Sequence, residues 1–207
     1  MLITDLTEFS RSRYKVYIDF EFAFVLYKGE IRKFKIKKNE ELDDDIYNMI
    51  MERLLPERAQ KRACALLADH CYTEKQLSDK LSRGLYPQEV IDSVLDSCRE
   101  HRYVDDELYS LRYIEQLCSE RSRMRITNDL LKKGIRKDII ENAFQRAYDD
   151  GYSQNELAMA IDILKKKNFD PDGCDFKERC RLSGFLYRKG FSQDVVRRAL
   201  LLDITPD

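Results

Sequence analysis

Hydrophobic residues recur along most of this chain at helical spacing, in a block that appears three times. The first block reads Leu77-x-x-x-Leu81-x-x-Gly84, then Val90-Ile91-x-x-Val94-Leu95. The second reads Leu130-Leu131-x-x-Gly134, then Ile139-Ile140-x-x-Ala143-Phe144. The third reads Leu186-Tyr187-x-x-Gly190, then Val195-Val196-x-x-Ala199-Leu200. Apolar residues three and four apart line one side of a helix. Self-similarity at a period of about 50 residues marks one supersecondary unit stacked on copies of itself. A further amphipathic stretch precedes each block: Ala59, Ala63, Leu66, Leu67 and His70; then Leu108, Leu111, Ile114 and Cys118; then Leu157, Ala160, Ile161 and Leu164. The unit is therefore three helices. Its glycine sits between the second and third, where a tight turn calls for positive φ. Such an array offers a long surface and does not naturally offer a deep catalytic pocket.

The helix signals agree with this division. Thr73-x-x-Gln76 and Ser153-x-x-Glu156 read as capping boxes, and Asp105 as an N-cap. Gly84 is expected to close its helix in a left-handed C-cap. An insertion around Asp170-Pro171-Asp172-Gly173 lengthens the third unit. Residues 1–27 read differently. Val16, Ile18, Phe20, Phe22, Phe24 and Leu26 alternate with Lys15, Tyr17, Asp19, Glu21, Ala23 and Val25, which is a strand period. A bend near Asp19 to Glu21 makes it a β-hairpin, which must lean on helices to be stable. Asp43-Asp44-Asp45 opens a helix with acids at its positive end, and Pro56 marks the break before the next. The reading is a mainly α protein: a small N-terminal β-hairpin and helix over 1–56, then three-helix (helix-turn-helix-like) repeats over 57–102, 103–152 and 153–207, arranged as an elongated crescent.

Bulk composition narrows the function. Lys and Arg total 37 against 38 Asp and Glu, so net charge favours no partner and only its distribution can. No apolar run approaches 18 residues and the N-terminus is no signal peptide, so no membrane is expected and the protein is placed in the cytoplasm. Cys64, Cys71, Cys98, Cys118, Cys174 and Cys180 form no Cys-x-x-Cys pair and are expected as reduced, mostly buried thiols. No phosphate loop or nucleophile elbow is present. Asp105 and Asp106 are adjacent on a helix, about 100° apart, a poor pair for a metal or for acid–base work. Helix capping and the dipole account for them. His70 is expected to be buried on its helix, and Tyr103 to pack between repeats. No cofactor, no metal and no catalysis are expected.

At this point the residues resemble the RecX family, regulators of the RecA recombinase. Tyr103-Val104-Asp105-Asp106-Glu107-Leu108-Tyr109 is similar to that family's Tyr-Leu-Asp-Asp-x-x-Phe/Tyr signature. Arg123-Met124-Arg125-Ile126-x-x-x-Leu130-Leu131-x-x-Gly134-Ile135 follows at the matching distance. Tyr17-Ile18-Asp19-x-Glu21-Phe22-Ala23-Phe24 and Arg58-Ala59-x-x-Arg62-Ala63-x-x-Leu66-Leu67 also match. Arg102 stands where the family usually has Gly, and Asp19-Phe20 where it has Asp-Gly, which argues against a tight primed turn. The resemblance implies a crescent lying in the groove of the RecA filament on DNA. It also implies damping of recombinase, ATPase and coprotease activities in DNA repair and the SOS response.

A ligand for a long groove lined by phosphates should carry a stripe of Lys and Arg. The candidates are Arg121, Arg123, Arg125, Lys132, Lys133, Arg136 and Lys137 in the second repeat. Lys165, Lys166, Lys167, Arg188, Lys189, Arg197 and Arg198 extend the stripe in the third. The expected partners are the RecA filament and single-stranded or duplex DNA without sequence preference, met by a monomer. The bland reading of each cation is a solvated helix face paired at i,i+4. The rival function is a helix-turn-helix transcription regulator, and a third is a plain scaffold. The third helices start with Gln88-Glu89, Lys137-Asp138 and Gln193-Asp194, and acids there weaken duplex readout.

Overall fold

The computed structural model describes residues 1–171 and 173–201. Residues 202–207 of the expected third repeat, and Asp172 of the insertion, lie outside that range. The chain divides into two compact units, Met1–Asp105 and the part from Asp106 onward.

The first unit opens with three antiparallel strands, β1 (Ile3–Ser10), β2 (Arg13–Ile18) and β3 (Glu21–Tyr27), in the order β1-β2-β3. The expected hairpin is β2–β3, and β1 is an additional strand. Val16, Ile18, Phe24 and Leu26 turn inward, whereas Phe20 and Phe22 are exposed. Asp19 (φ +48°) and Phe20 (φ +70°) both take left-handed backbone between the paired Ile18 and Glu21. This two-residue loop with both φ values positive is a tight primed turn, contrary to the expectation. Asp tolerates that conformation, and Phe20 is held in it by its neighbours: its N–H donates to Thr4 Oγ1 at 3.0 Å.

A short helix α1 (Lys28–Lys33) follows, then α2 (Asp44–Met49), capped by Asp43, whose carboxylate accepts from the Asp45 and Ile46 N–H groups. Pro56 does not break the chain here. A π turn over Ile50–Leu54 runs straight into α3 (Leu55–Asp69), with the Leu55 N–H reaching back to the Ile50 carbonyl. The wider turn accommodates a proline that has no N–H of its own to donate. Helices α4 (Glu74–Arg83) and α5 (Gln88–Glu100) pack with α3 into the first three-helix module. Its core is continuous with the inner face of the sheet, joining Val16, Phe24 and Leu26 to Ala59, Leu77, Leu81 and Val94. Thr73 makes the capping box expected of it. His70, in contrast, caps the end of α3 and is exposed.

The second unit holds α6 (Asp106–Leu117), α7 (Arg123–Lys132) and α8 (Lys137–Asp149), then α9 (Glu156–Lys165), α10 (Phe176–Arg188) and α11 (Gln193–Leu201). The second helix of each module buries an i,i+4 pair: Leu77 and Leu81, Ile126 and Leu130, Leu182 and Leu186. In α6 and the turn that follows it the stripe is Leu111, Ile114 and Cys118, with Ser110 buried and Leu108 exposed, so Leu108 leaves the expected set. The third module's cap is Asn155, whose side chain accepts from the Ala158 N–H, not Ser153. The inserted connection from α9 to α10 runs from residue 166 to 175.

Gly134 (φ +86°) and Gly190 (φ +88°) take the expected left-handed turn. Gly84 does not: its φ is −75°, and Leu85 (φ +60°) turns instead. A Cβ on Gly84 would sit 2.9 Å from both the Leu81 carbonyl and the Tyr86 ring. Close approach, rather than φ, demands glycine there.

Candidate functional site

The cations of the second and third modules separate into a few settings. Around the entry to α7 they converge. Arg121, Ser122 and Arg125 from that segment face Arg188 and Lys189 at the end of α10 across a cleft of about 380 Å³, with Phe185, Phe191 and Ile163 as its apolar wall and Glu120 at its edge. Arg121 donates to Asp129 Oδ2 at 2.8 Å and to the Tyr113 hydroxyl at 3.3 Å, and Arg125 Nε lies 3.4 Å from the same carboxylate. The half-buried Asp129 thus holds two arginines side by side. Arg188 and Lys189 have no carboxylate partner among the described residues. The ammonium groups of Lys167 and Lys189 lie 4.4 Å and 5.3 Å from the centroid of Phe185, so the ring holds Lys189 and brings one further positive charge, Lys167, to the cleft.

The two modules interlock at this place. Ser122 is buried; its hydroxyl caps α7 at the Arg125 N–H and donates to the Lys189 carbonyl at 2.8 Å. Gln154 Nε2 donates to the Arg121 carbonyl at 2.7 Å. Glu156 Oε1 accepts from the Arg123 N–H at 2.7 Å. Glu156 therefore caps α7 of the second module, rather than completing a box in its own. Gly190 lies so close that a Cβ would meet Ser122 Oγ at 2.7 Å and the Arg125 nitrogen at 3.1 Å.

On the other side of this segment is a second opening of about 270 Å³, lined by Ile114, Cys118, Arg123, Phe144, Tyr148, Tyr152 and Glu156. The Arg123 guanidinium carbon lies over the Phe144 ring, 4.1 Å from its centroid, and the group has no ion-pair partner among the described residues. Tyr148 and Tyr152 are exposed, at 66% and 44%. The sequence-derived set of candidates omits these aromatic residues. A signal for them exists: Tyr148 falls one turn after the buried Phe144, at a position that the apolar stripe does not need.

The remaining candidates do not join either opening. Arg136 pairs with Asp138 and holds that carboxyl below its ordinary value through their hydrogen bond. Lys137 meets Glu141, Lys165 meets Asp162, and Arg197 and Arg198 meet Asp194, all within one helix. These fit the plain solvated-face reading. Lys133 lies 5.6 Å from the Tyr109 and Tyr113 rings. Lys132 and Lys166 are exposed.

Asp105 stands immediately before α6, and Asp106 lies in its first turn. Tyr103 is 57% exposed and stacks on His101 with ring centroids 5.7 Å apart, and its neighbour Val104 is in the core. All six cysteines are free, but only Cys98 and Cys118 are buried, so the thiols are not mostly interior. Among the described residues no cluster of His, Cys, Asp and Glu could hold a metal ion, and no helix is long and apolar enough to cross a membrane.

The fold thus defines a tandem three-helix repeat protein fronted by a small sheet. Residues 59–98 match the first three-helix domain of RecX and residues 154–200 the third. A regulatory protein RecX from Caldanaerobacter subterraneus subsp. tengcongensis is 31% identical over 204 residues, covering 98% of this chain and all of that one. One from Clostridium botulinum (strain Alaska E43) is 25% identical, covering 91% and 88%. A crystal structure of regulatory protein RecX superposes with a TM-score of 0.61 at 21% identity, covering 98% of both chains. That of RecX from Lactobacillus salivarius gives 0.56 at 19% identity over 70% of this chain and 94% of that one. The chain belongs to the RecX family.

Proposed function

We propose that this protein is a non-enzymatic regulator that binds the RecA filament on DNA and modulates, mostly by inhibition, its recombinase, ATPase and coprotease activities in DNA repair and the SOS response. The observation that carries this reading is the end-to-end relationship to a regulatory protein RecX. The convergence of Arg121, Arg125, Arg188 and Lys189 on one cleft supports it, because a filament wrapped on DNA presents phosphates and carboxylates that arginine forks can grip. The protein acts as a monomer in the cytoplasm, without cofactor, and contacts nucleic acid without sequence preference. Third helices that carry Glu89, Asp138 and Asp194 in their first turns put acids where a duplex-reading helix needs donors to base edges.

Co-sedimentation with RecA assembled on single-stranded DNA tests the proposal. The protein is expected in the pellet only when the filament is present. Binding solely to a short duplex of defined sequence would replace this reading with a transcription regulator, and binding to neither would leave a scaffold for another partner.

A further inference from the structure

We infer that a single strand of nucleic acid crosses the start of α7, with its phosphates in the Arg121–Arg125–Arg188–Lys189 cleft and a base in the cavity of Arg123, Phe144, Tyr148 and Tyr152. The inference rests on the nucleic-acid part of the proposed function and names the site and the form of the ligand.

Two observations favour a single strand over an acidic protein segment. The first is that the two openings share one short stretch of backbone: Arg121 and Arg125 line one, and Arg123 the other. Phosphate and base are the two chemically different faces of a nucleotide, and a charged cleft beside an aromatic cavity matches both. The second is the chemistry of the cavity. Tyr148 and Tyr152 are exposed rings, and the Arg123 guanidinium lies 4.1 Å from the Phe144 ring centroid without an ion-pair partner among the described residues, while Glu156, the carboxylate in the lining, accepts from the Arg123 backbone N–H. Planar π surfaces stack on bases of any sequence, and arginine adds a cation–π contribution. A run of carboxylates would find no use for those rings. A duplex keeps its bases stacked inside and could not offer one to the cavity.

The electrostatics agree. Asp129 and Glu120 offset part of the charge of four cations, leaving Arg188 and Lys189 without carboxylate partners among the described residues. The first turn of α7 contains Arg123 and Arg125 and no acid, so the positive end of the helix dipole adds to the same field. The Ser122, Gln154 and Glu156 hydrogen bonds hold the walls in place before a ligand arrives.

The test is fluorescence anisotropy of the full chain with labelled oligothymidylate and with an abasic deoxyribose-phosphate oligomer of equal length, at several salt concentrations. The wild type is expected to bind the abasic oligomer about tenfold or more weakly, since each stacked base contributes of that order. Tyr148→Ala with Tyr152→Ala should erase that difference and leave the salt dependence unchanged. Arg125→Gln with Arg188→Gln should weaken both oligomers and reduce the salt slope by about 1.4, the effect of two lost phosphate contacts on a single strand. Equal wild-type affinity for the two oligomers overturns the inference, and needs no variant to read. So does oligomer binding by the arginine variant that matches wild type. If that variant also fails to co-sediment with RecA filaments, the cleft holds an acidic protein segment and the proposed function stands without this inference. If the wild type ignores filaments yet prefers oligothymidylate to the abasic oligomer, the inference stands and the proposed function falls.

Discussion

Single residues carry the joint between the second and third modules. Gly190 combines two demands, a left-handed backbone and contact with Ser122, whereas Gly134 shows the left-handed backbone. A side chain at positive φ costs roughly 1–2 kcal/mol. Gly190→Ala should therefore lower stability by clearly more than that amount, since Ser122 and the Arg125 backbone must also move. Thermal melts of the variant read the loss; one no larger than the backbone cost would mean that the contact at Gly190 gives way freely. The cysteines make a second residue-scale case. Burial pushes the Cys98 thiol up, away from the reactive thiolate. Alkylation of the native protein should label exposed Cys64, Cys71 and Cys180 well before Cys98 and Cys118. Mass spectrometry of timed samples reads the order, and early modification of Cys98 would contradict its burial.

Among the elements, α7 is the helix whose start is least like a helix start. The first turns of α4, α5, α6, α8, α9, α10 and α11 each contain Asp or Glu, while that of α7 contains Arg123 and Arg125. Positive charge there opposes the dipole by about 0.3–1 kcal/mol per residue. Met124, exposed in the same turn, is a site where that conflict can be relieved. Met124→Glu should raise the melting temperature and weaken capture by RecA–DNA filaments; a gain in both would disconnect the charge of this turn from binding. The sequence makes the module helices legible because each buries a stripe of fixed period, as Ile126 and Leu130 do in α7. It hides what depends on partners distant along the chain. β1 reads Ile3-Thr4-Asp5-Leu6-Thr7-Glu8, with few apolar residues, and becomes a strand by pairing with β2. Pro56 looks like a stop because the π turn that absorbs it has no local signature. Glu156 looks like half of a capping box at home and in fact caps a helix 33 residues upstream. The basic stripe is visible residue by residue, but only folding shows that Arg121, Arg125, Arg188 and Lys189 meet while Arg136 and Arg197 are occupied by neighbouring acids.

At the level of the whole molecule, the two units have separate sources of stability. The sheet and first module share one core. The second and third modules have their own cores, tied through Ser122, Gln154 and Glu156. A fragment of residues 1–105 should fold alone, with strand and helix signals in circular dichroism and a cooperative melt; an unfolded fragment would show that its core depends on the rest of the chain. Reversing charge at Arg123, Arg125 and Lys132 in the intact protein should weaken inhibition of RecA strand exchange with helicity unchanged. Unaltered inhibition would place the contact elsewhere. The bonds from the third module to the start of α7 have one more consequence. Three blocks that look alike on paper are not interchangeable parts. Transplanting the first block into the last position would strip the Arg123 amide and the Arg121 carbonyl of their acceptor and donor, so the order of the array is written into its hydrogen bonds.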